Sequence, residues 1–318
     1  MEELTPAEEI IAEQTEILHA LRRYYRDLYR VDIVPLNPDD YYDQQLDRRD
    51  YREPKDESRR QAAKEAGVSL PLRIRALLSE TARSELNERK AAADARQIVL
   101  AEEHAAMVEE DRAYFLQQQN QYNEMIDERK RMYLNGDPDE VMAYFEDVLL
   151  GDRFMIEFAE QPPLYKSCAR AISYDPGKKS LCIRYRVPNA DEICTIKSFT
   201  YNEKEWAVET KELPAQNAHR VRTDVLHAII VRTAALVFYS DTYHLVDSLT
   251  ITGYLDYFDR AYGTNQTVDV LKTTISEEEF LKVDLERARL EDLFARLFKT
   301  DVSTGLYRKE PYELKGVA

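Results

Sequence analysis

Glu209-Thr210-Lys211, with Asp191 eighteen residues before Glu209, has the spacing of a metal-dependent nuclease site. Such an enzyme carries an acid on one strand and an E-x-K pair on the next: the carboxylates hold Mg²⁺, and the lysine positions or activates water. The pattern is short and the chain holds 60 acids, so chance matches are common. Pro214 follows closely, and the segment is not an apolar buried strand. This reading stands as the enzymatic alternative, with Asp191, Glu209 and Lys211 in the named roles. The five histidines, His19, His104, His219, His227 and His244, are scattered. His219 and His227 lie eight apart on one predicted helix, beyond the i, i+4 spacing of joint ligation. No G-x-S-x-G, H-E-x-x-H or phosphate loop is present. The expectation is a chain with no catalytic residue, no metal site and no cofactor.

A binding surface is the better-supported chemistry. From Lys166 to Val187 the bases are Lys166, Arg170, Lys178, Lys179, Arg184 and Arg186, against the single acid Asp175. Alternation along Leu181–Val187 puts Leu181, Ile183, Tyr185 and Val187 on one face and Cys182, Arg184 and Arg186 on the other. Arg170, Lys178, Lys179, Arg184 and Arg186 are therefore candidates for contacting nucleic-acid phosphates or an acidic partner; otherwise they form an ordinary solvated sheet face. Arg220, Arg222 and Arg232 on the following helix either extend the patch or pair with local acids.

Composition limits how far that patch can matter. Lys+Arg is 44 and Asp+Glu is 60, a formal charge of −16 spread evenly: residues 1–136 and 137–318 each carry −8. A protein that coats duplex DNA would show a basic excess, because Lys and Arg replace its counterions. Only 8 glycines argue against glycine-cradled nucleotide sites. Cys168, Cys182 and Cys194, spaced 14 and 12 apart, make neither a disulfide framework nor a C-x-x-C metal site. Met1–Pro6 has no basic or apolar leader region, and no apolar run approaches ~18 residues, so the expectation is a cytoplasmic chain without a membrane span.

The elements that must position these residues fall into two parts. Thr5, Pro6 and Glu8 open a helix over residues 5–30. Residues 35–58 read as an irregular polar arm whose Tyr41, Tyr42 and Tyr51 dock on a partner or pack on their own protein. Between Pro71 and Gly136 there is no glycine or proline. Residues 72–135 predict a helix of about 95 Å, with one break allowed. Its apolar stripe is too thin to stand alone, so it needs a second helix, from this chain or another copy. Residues 1–134 are thus expected to form a helical or coiled-coil module that self-associates or docks a partner.

Residues 135–318 predict a compact α+β domain of antiparallel strands around a central helix. Helix 138–150 follows the cap Asp137. Strands 168–174 and 181–187 flank the turn Asp175-Pro176-Gly177-Lys178. A third strand covers 193–201, extended by 206–210. Helix 221–239, strands 245–258 and 267–275, and a helix over 278–298 complete the order.

At this level the C-terminal part resembles a block found in bacterial Mrr-like restriction endonuclease proteins. That block follows a charged coiled coil and precedes the nuclease domain. The resemblance is carried by Asn135-Gly136-Asp137-Pro138-Asp139-Glu140-Val141, Tyr144-Phe145, Val148-Leu149, Ser173 to Leu181 and Tyr185-Arg186-Val187-Pro188. It continues through the long helix, Ser248 to Tyr254, Glu278 to Leu285 and Pro311-Tyr312-Glu313-Leu314, and covers roughly residues 117–315. In that family the catalytic acids and E-x-K begin after the Pro-Tyr-Glu-Leu region, whereas this sequence ends at Ala318, so no catalytic residue carries over. The resemblance implies a non-catalytic subunit of a restriction or anti-phage defence complex. It would recruit or position a separate nuclease, helicase or ATPase, touch DNA through the hairpin bases, and form a homo-oligomer through the helical module. A purely structural homo-oligomeric scaffold is the remaining alternative.

Overall fold

A computed structural model describes residues 6–31, 33–152, 155–158, 161–165, 171–259, 262–303 and 306–307. The element order is α1 (Pro6–Asp27), α2 (Pro38–Gln45), α3 (Ser58–Glu65), α4 (Leu70–Leu78), α5 (Glu80–Leu134) and α6 (Pro138–Gly151). Then come β1 (Met155–Phe158), β2 (Gln161–Tyr165), β3 (Ala171–Asp175), β4 (Ser180–Arg186), β5 (Ile196–Asn202), β6 (Ala207–Glu212) and α7 (Ala215–Ser240). The series ends with β7 (Ser248–Asp259), β8 (Thr264–Ser276), α8 (Glu277–Phe280), α9 (Leu290–Leu297) and β9 (Lys299–Val302). The fold class is α+β, with long-helix structure preceding a sheet domain. Among the described residues no helix is long and apolar enough to cross a membrane.

The chain forms two compact units, and their division corrects the expected boundary at 134/135. One unit joins Met1–Asp43 to Arg129–Ala318; the other is Gln44–Glu128. The physical reason lies in α1. Its Leu18, Leu21 and Tyr25, with Leu28 just beyond, are buried, and the helix packs on β5 and α7. Arg22 Nη2 donates to the carbonyl of Ile196 at 2.6 Å, and the hydroxyl of Tyr29 donates to the carbonyl of Ala288 at 2.8 Å. The first helix therefore completes the α+β unit rather than the helical one.

The main sheet of that unit has the order β3-β4-β7-β8-β9. It is mixed, not wholly antiparallel: β4 and β7 run parallel, with Ile183 opposite Ile251, while the other pairs are antiparallel. A parallel pair needs a long crossover, and the connection through β5, β6 and α7 supplies it. The expected alternation holds in β4, where Leu181, Ile183 and Tyr185 are buried. The central helix α7 is buried nearly all round, from Val225 through Phe238, as a helix without a polar face must be. Residues 206–210 do not extend β5. Residues 207–212 instead form β6, its antiparallel partner in a separate two-stranded sheet, because the Asn202 side chain accepts from the Lys204 amide at 3.0 Å and turns the chain. The helix expected over 278–298 is broken into α8 and α9. The Asp284 carboxylate accepts from the Glu286 amide at 3.1 Å, a local bond that competes with the helix.

The second unit holds α3, α4 and residues 80–128 of α5, which rise about 73 Å at 1.5 Å per residue. The break before α5 is Ser79, whose extended backbone ends α4 and whose hydroxyl accepts from the Ala82 amide at 3.4 Å. Leu72, Ala76, Ala82 and Leu86 form a small core with Val68. Further along α5 the covering element is not a helix. Residues 47–51, in neither helix nor strand, lie against it: Asn123 accepts from the Asp47 amide at 2.7 Å, and Gln119 donates to the Arg49 carbonyl at 2.8 Å. Tyr51 packs at a tilt against Phe115 and donates to Asp111 at 2.8 Å. Within residues 35–58, Pro38–Gln45 is the helix α2, and its Tyr42 is buried, donating to Glu140 at 3.0 Å.

Candidate functional site

The β3–β4 hairpin brings Lys178, Lys179, Arg184 and Arg186 together; Arg170, like Lys166 and Cys168, lies outside the described residues. Each of the four faces an acid of its own chain. Lys178 pairs with Asp175 at 3.1 Å across the turn, which holds that carboxyl below its ordinary range. Lys179 donates to the His244 carbonyl at 3.0 Å and lies 3.8 Å from Asp247. Arg184 donates to Asp269 of β8 through Nε at 3.1 Å and Nη2 at 2.7 Å, and its guanidinium sits 4.3 Å above the Tyr254 ring. Arg186 pairs with Glu192 at 2.5 Å, both side chains 14% exposed, and Glu192 also accepts from the Asn189 amide at 2.7 Å. A phosphate would have to displace these carboxylates. That exchange costs little at exposed Lys178 and much more at half-buried Arg186.

The helix bases are engaged as well. Arg220 pairs with Glu291 at 2.6 Å, Arg222 donates to the Ala190 carbonyl at 3.0 Å, and Arg232 pairs with Asp152 at 2.7 Å. Apart from Asp175, the partner acids lie outside the hairpin, on β8, in loops, just after α6 and at the start of α9. They become visible only once the strand register is known, so counting charge within the hairpin could not find them.

The E-x-K residues sit in an open setting. Glu209 and Lys211 are exposed on β6, and Glu209 accepts from the Asn202 amide group at 2.6 Å. Asp191 is exposed in the turn before β5. Among the described residues no group of three or more His, Cys, Asp or Glu side chains is placed to hold a metal ion. Two of the histidines serve local structure: His227 stacks on Phe294 at 3.7 Å, and His244 Nδ1 bonds Glu277 at 2.7 Å, which pushes its pKa up. Cys194 is buried, and burial raises its thiol pKa; Cys182 is exposed.

Sequence reasoning missed a cleft in the α+β unit. It has a volume of about 680 Å³ and lies between α1, α7 and the turn before α9. Tyr25, Val221 and Val225 supply apolar lining. Arg22, Arg26, Arg30, Arg220, Arg287 and Arg289 line it as well, with Asp224 and Glu291. Burial raises the Asp224 carboxyl pKa against the opposing pull of Arg220. Burial also pushes Tyr25 up to about 12, while its hydroxyl accepts from the Cys194 amide at 3.2 Å. The cleft can take an anion with an apolar body. Its one sequence signal is the i, i+4, i+8 spacing of Arg22, Arg26 and Arg30, which reads equally as a solvated helix face.

No family model, curated protein or solved structure matches the chain.

Proposed function

We propose that the chain is a cytoplasmic, non-catalytic accessory or scaffold subunit of a bacterial restriction or anti-phage defence complex, recruiting or positioning a separate nuclease, helicase or ATPase. The observation that carries this reading is the two-faced character of α4. Leu72 and Ala76 turn into the small core of their unit. Leu70, Ile74, Leu77 and Leu78, at 70%, 54%, 76% and 87% exposure, form a second stripe. Positions i, i+4, i+7 and i+8 share one helix face. Burying a large aliphatic side chain is worth about 1.5–3 kcal/mol, so four of them are sufficient to anchor a partner helix. The hairpin pairing described above also fits a protein whose main contacts are with protein rather than duplex DNA.

The test is affinity purification of the chain from its native host, beside the variant Ile74→Asp/Leu78→Asp. The expected result is a stoichiometric nuclease, helicase or ATPase in the wild-type eluate and its loss in the variant. A homo-oligomer that withstands the double substitution and carries no second protein would overturn the reading in favour of a structural scaffold. DNA cleavage by the pure chain with Mg²⁺ or Mn²⁺, lost in Glu209→Ala, would overturn it in favour of the nuclease alternative.

A further inference from the structure

The bases of the hairpin and of α7 are held by acids or carbonyls of their own chain; one cluster of bases in the second unit is not. Lys55, Arg59, Arg60, Lys64 and Arg73 line a single concavity of about 750 Å³, and none of their side chains makes an ion pair or hydrogen bond among the described residues. Three elements build it: the loop before α3, α3 itself, and the start of α4. Gly67 makes the shape possible. Its positive φ of 69° reverses the chain after α3, where the Val68 amide donates back to the Ala63 carbonyl at 2.9 Å. Ala63, on the same lining, is too small to fill the space.

Two acids, Asp56 and Glu57, also line the concavity. Asp56 is turned to the backbone, accepting from the Ser58 amide at 2.8 Å, and that bond holds its carboxyl below the ordinary range. The nearby Glu65 is taken by Arg96 at 2.8 Å. The lining thus carries a net positive charge in a chain of −16. Unpaired like charges held on one concave wall repel, and a bound anion relieves that repulsion.

We propose that this concavity binds a chain of phosphates, as in a nucleic-acid backbone or inorganic polyphosphate. The volume and the spread of the bases over three elements suit several linked phosphates better than one. Three of the five bases are arginines, whose planar fork matches phosphate oxygens. Among the described residues no aromatic side chain lines the wall, so bases have no stacking platform and recognition is of the backbone, independent of nucleotide sequence. This site is separate from the α4 stripe, and its failure would leave the accessory-subunit reading untouched.

The experiment is fluorescence anisotropy of the full chain with a labelled mixed-sequence 20-mer, single-stranded and as a duplex, from 50 to 200 mM salt. Inorganic polyphosphate and polyglutamate serve as competitors. Binding that weakens with salt is expected. Arg60→Glu/Lys64→Glu should weaken it at least ~10-fold and flatten the log–log salt dependence by about 1.5, since each lost phosphate contact removes ~0.7–0.9 from the slope. Both positions are exposed, and the conservative swap Arg60→Lys/Lys64→Arg should retain binding. Circular dichroism of each variant, with Lys55→Ala/Arg73→Ala as an independent pair, guards against a folding effect. Binding of end-labelled polyphosphate, read by the same anisotropy assay, with no binding of either nucleic acid supports the site and assigns its source as free polyphosphate. Absence of binding to all phosphate polymers, equal competition by polyglutamate, or indifference to both double substitutions would overturn the proposal.

Discussion

Arg232 and Asp152 form an ion pair in which each side chain is only 3% exposed. Nε and Nη2 of the arginine both reach the carboxylate, while Nη1 donates to the carbonyls of Leu28, at 3.0 Å, and Val31. One guanidinium thus ties the central helix to the end of α6 and the chain just after α1. Arg232→Ala strands a buried carboxylate and two carbonyls, and is expected to cost about 3–5 kcal/mol in urea unfolding. Arg232→Met/Asp152→Leu, which removes both charges, should recover a large part of that loss. A double variant no more stable than the single one would contradict the account.

Gly253 lies in β7 at the register shift opposite β8, and a Cβ there would sit 2.7 Å from Cγ1 of Val187. Val187 is fully buried and its branched side chain cannot swing clear. Gly253→Ala should therefore destabilise by about 1–3 kcal/mol through overpacking, despite the usual gain from replacing glycine in a strand. The pair Gly253→Ala/Val187→Ala should relieve the clash, leaving only the cavity left by the valine. Thermal unfolding of the two variants separates these cases.

His227, stacked on Phe294, has its pKa lowered by burial from 6.5 to about 4, with Glu291 opposing. The unfolded chain binds a proton there more readily than the folded one, so stability rises with pH between those two values. The contribution is complete above pH ~6.5 and is lost as pH falls toward ~4, with an upper limit of about 3 kcal/mol. His227→Phe should flatten the acid limb of a stability–pH profile over that window. An unchanged limb would show that other groups govern acid unfolding.

What the sequence revealed, and what it hid, divides along a physical line. Local signals were legible: Asp137 accepts from the Asp139 and Glu140 amides, and Ser276 caps α8, as their positions require. The in-and-out alternation of β4 and the burial of α7 followed from apolar period alone. Relationships between distant segments were not legible. The parallel pairing of β4 with β7, the return of α1 to the α+β unit, and the non-helical cover over α5 all depend on which segments meet. β1 and β2 escaped because Pro162 and Pro163 argue against a strand, yet a two-stranded ribbon tolerates them. The unpaired bases of α3 were hidden for the converse reason: in sequence they stand beside Glu57 and Glu65, and only the fold gives Glu65 to Arg96.

Arg184 and Arg186 stand two residues apart on one strand, yet their substitutions should differ. Arg186 and Glu192 are both largely covered, and Glu192 also holds the Asn189 amide. Arg186→Ala leaves that carboxylate short of a partner in a half-buried place, a loss of about 1–3 kcal/mol. The Arg184–Asp269 pair is far more open, at 40% and 41% exposure, so the ion pair itself is worth about 0–1 kcal/mol. Its stacking on Tyr254 adds about 0.5–1 kcal/mol. In chemical denaturation Arg186→Ala should therefore lose more stability than Arg184→Ala. Because both cations are already matched by carboxylates, neither substitution should shift the affinity of folded protein for mixed-sequence DNA by more than about twofold, whereas a free phosphate-binding base would also lower the salt slope by about 1. A strong, salt-dependent loss in Arg184→Ala would return the hairpin to the nucleic-acid interface.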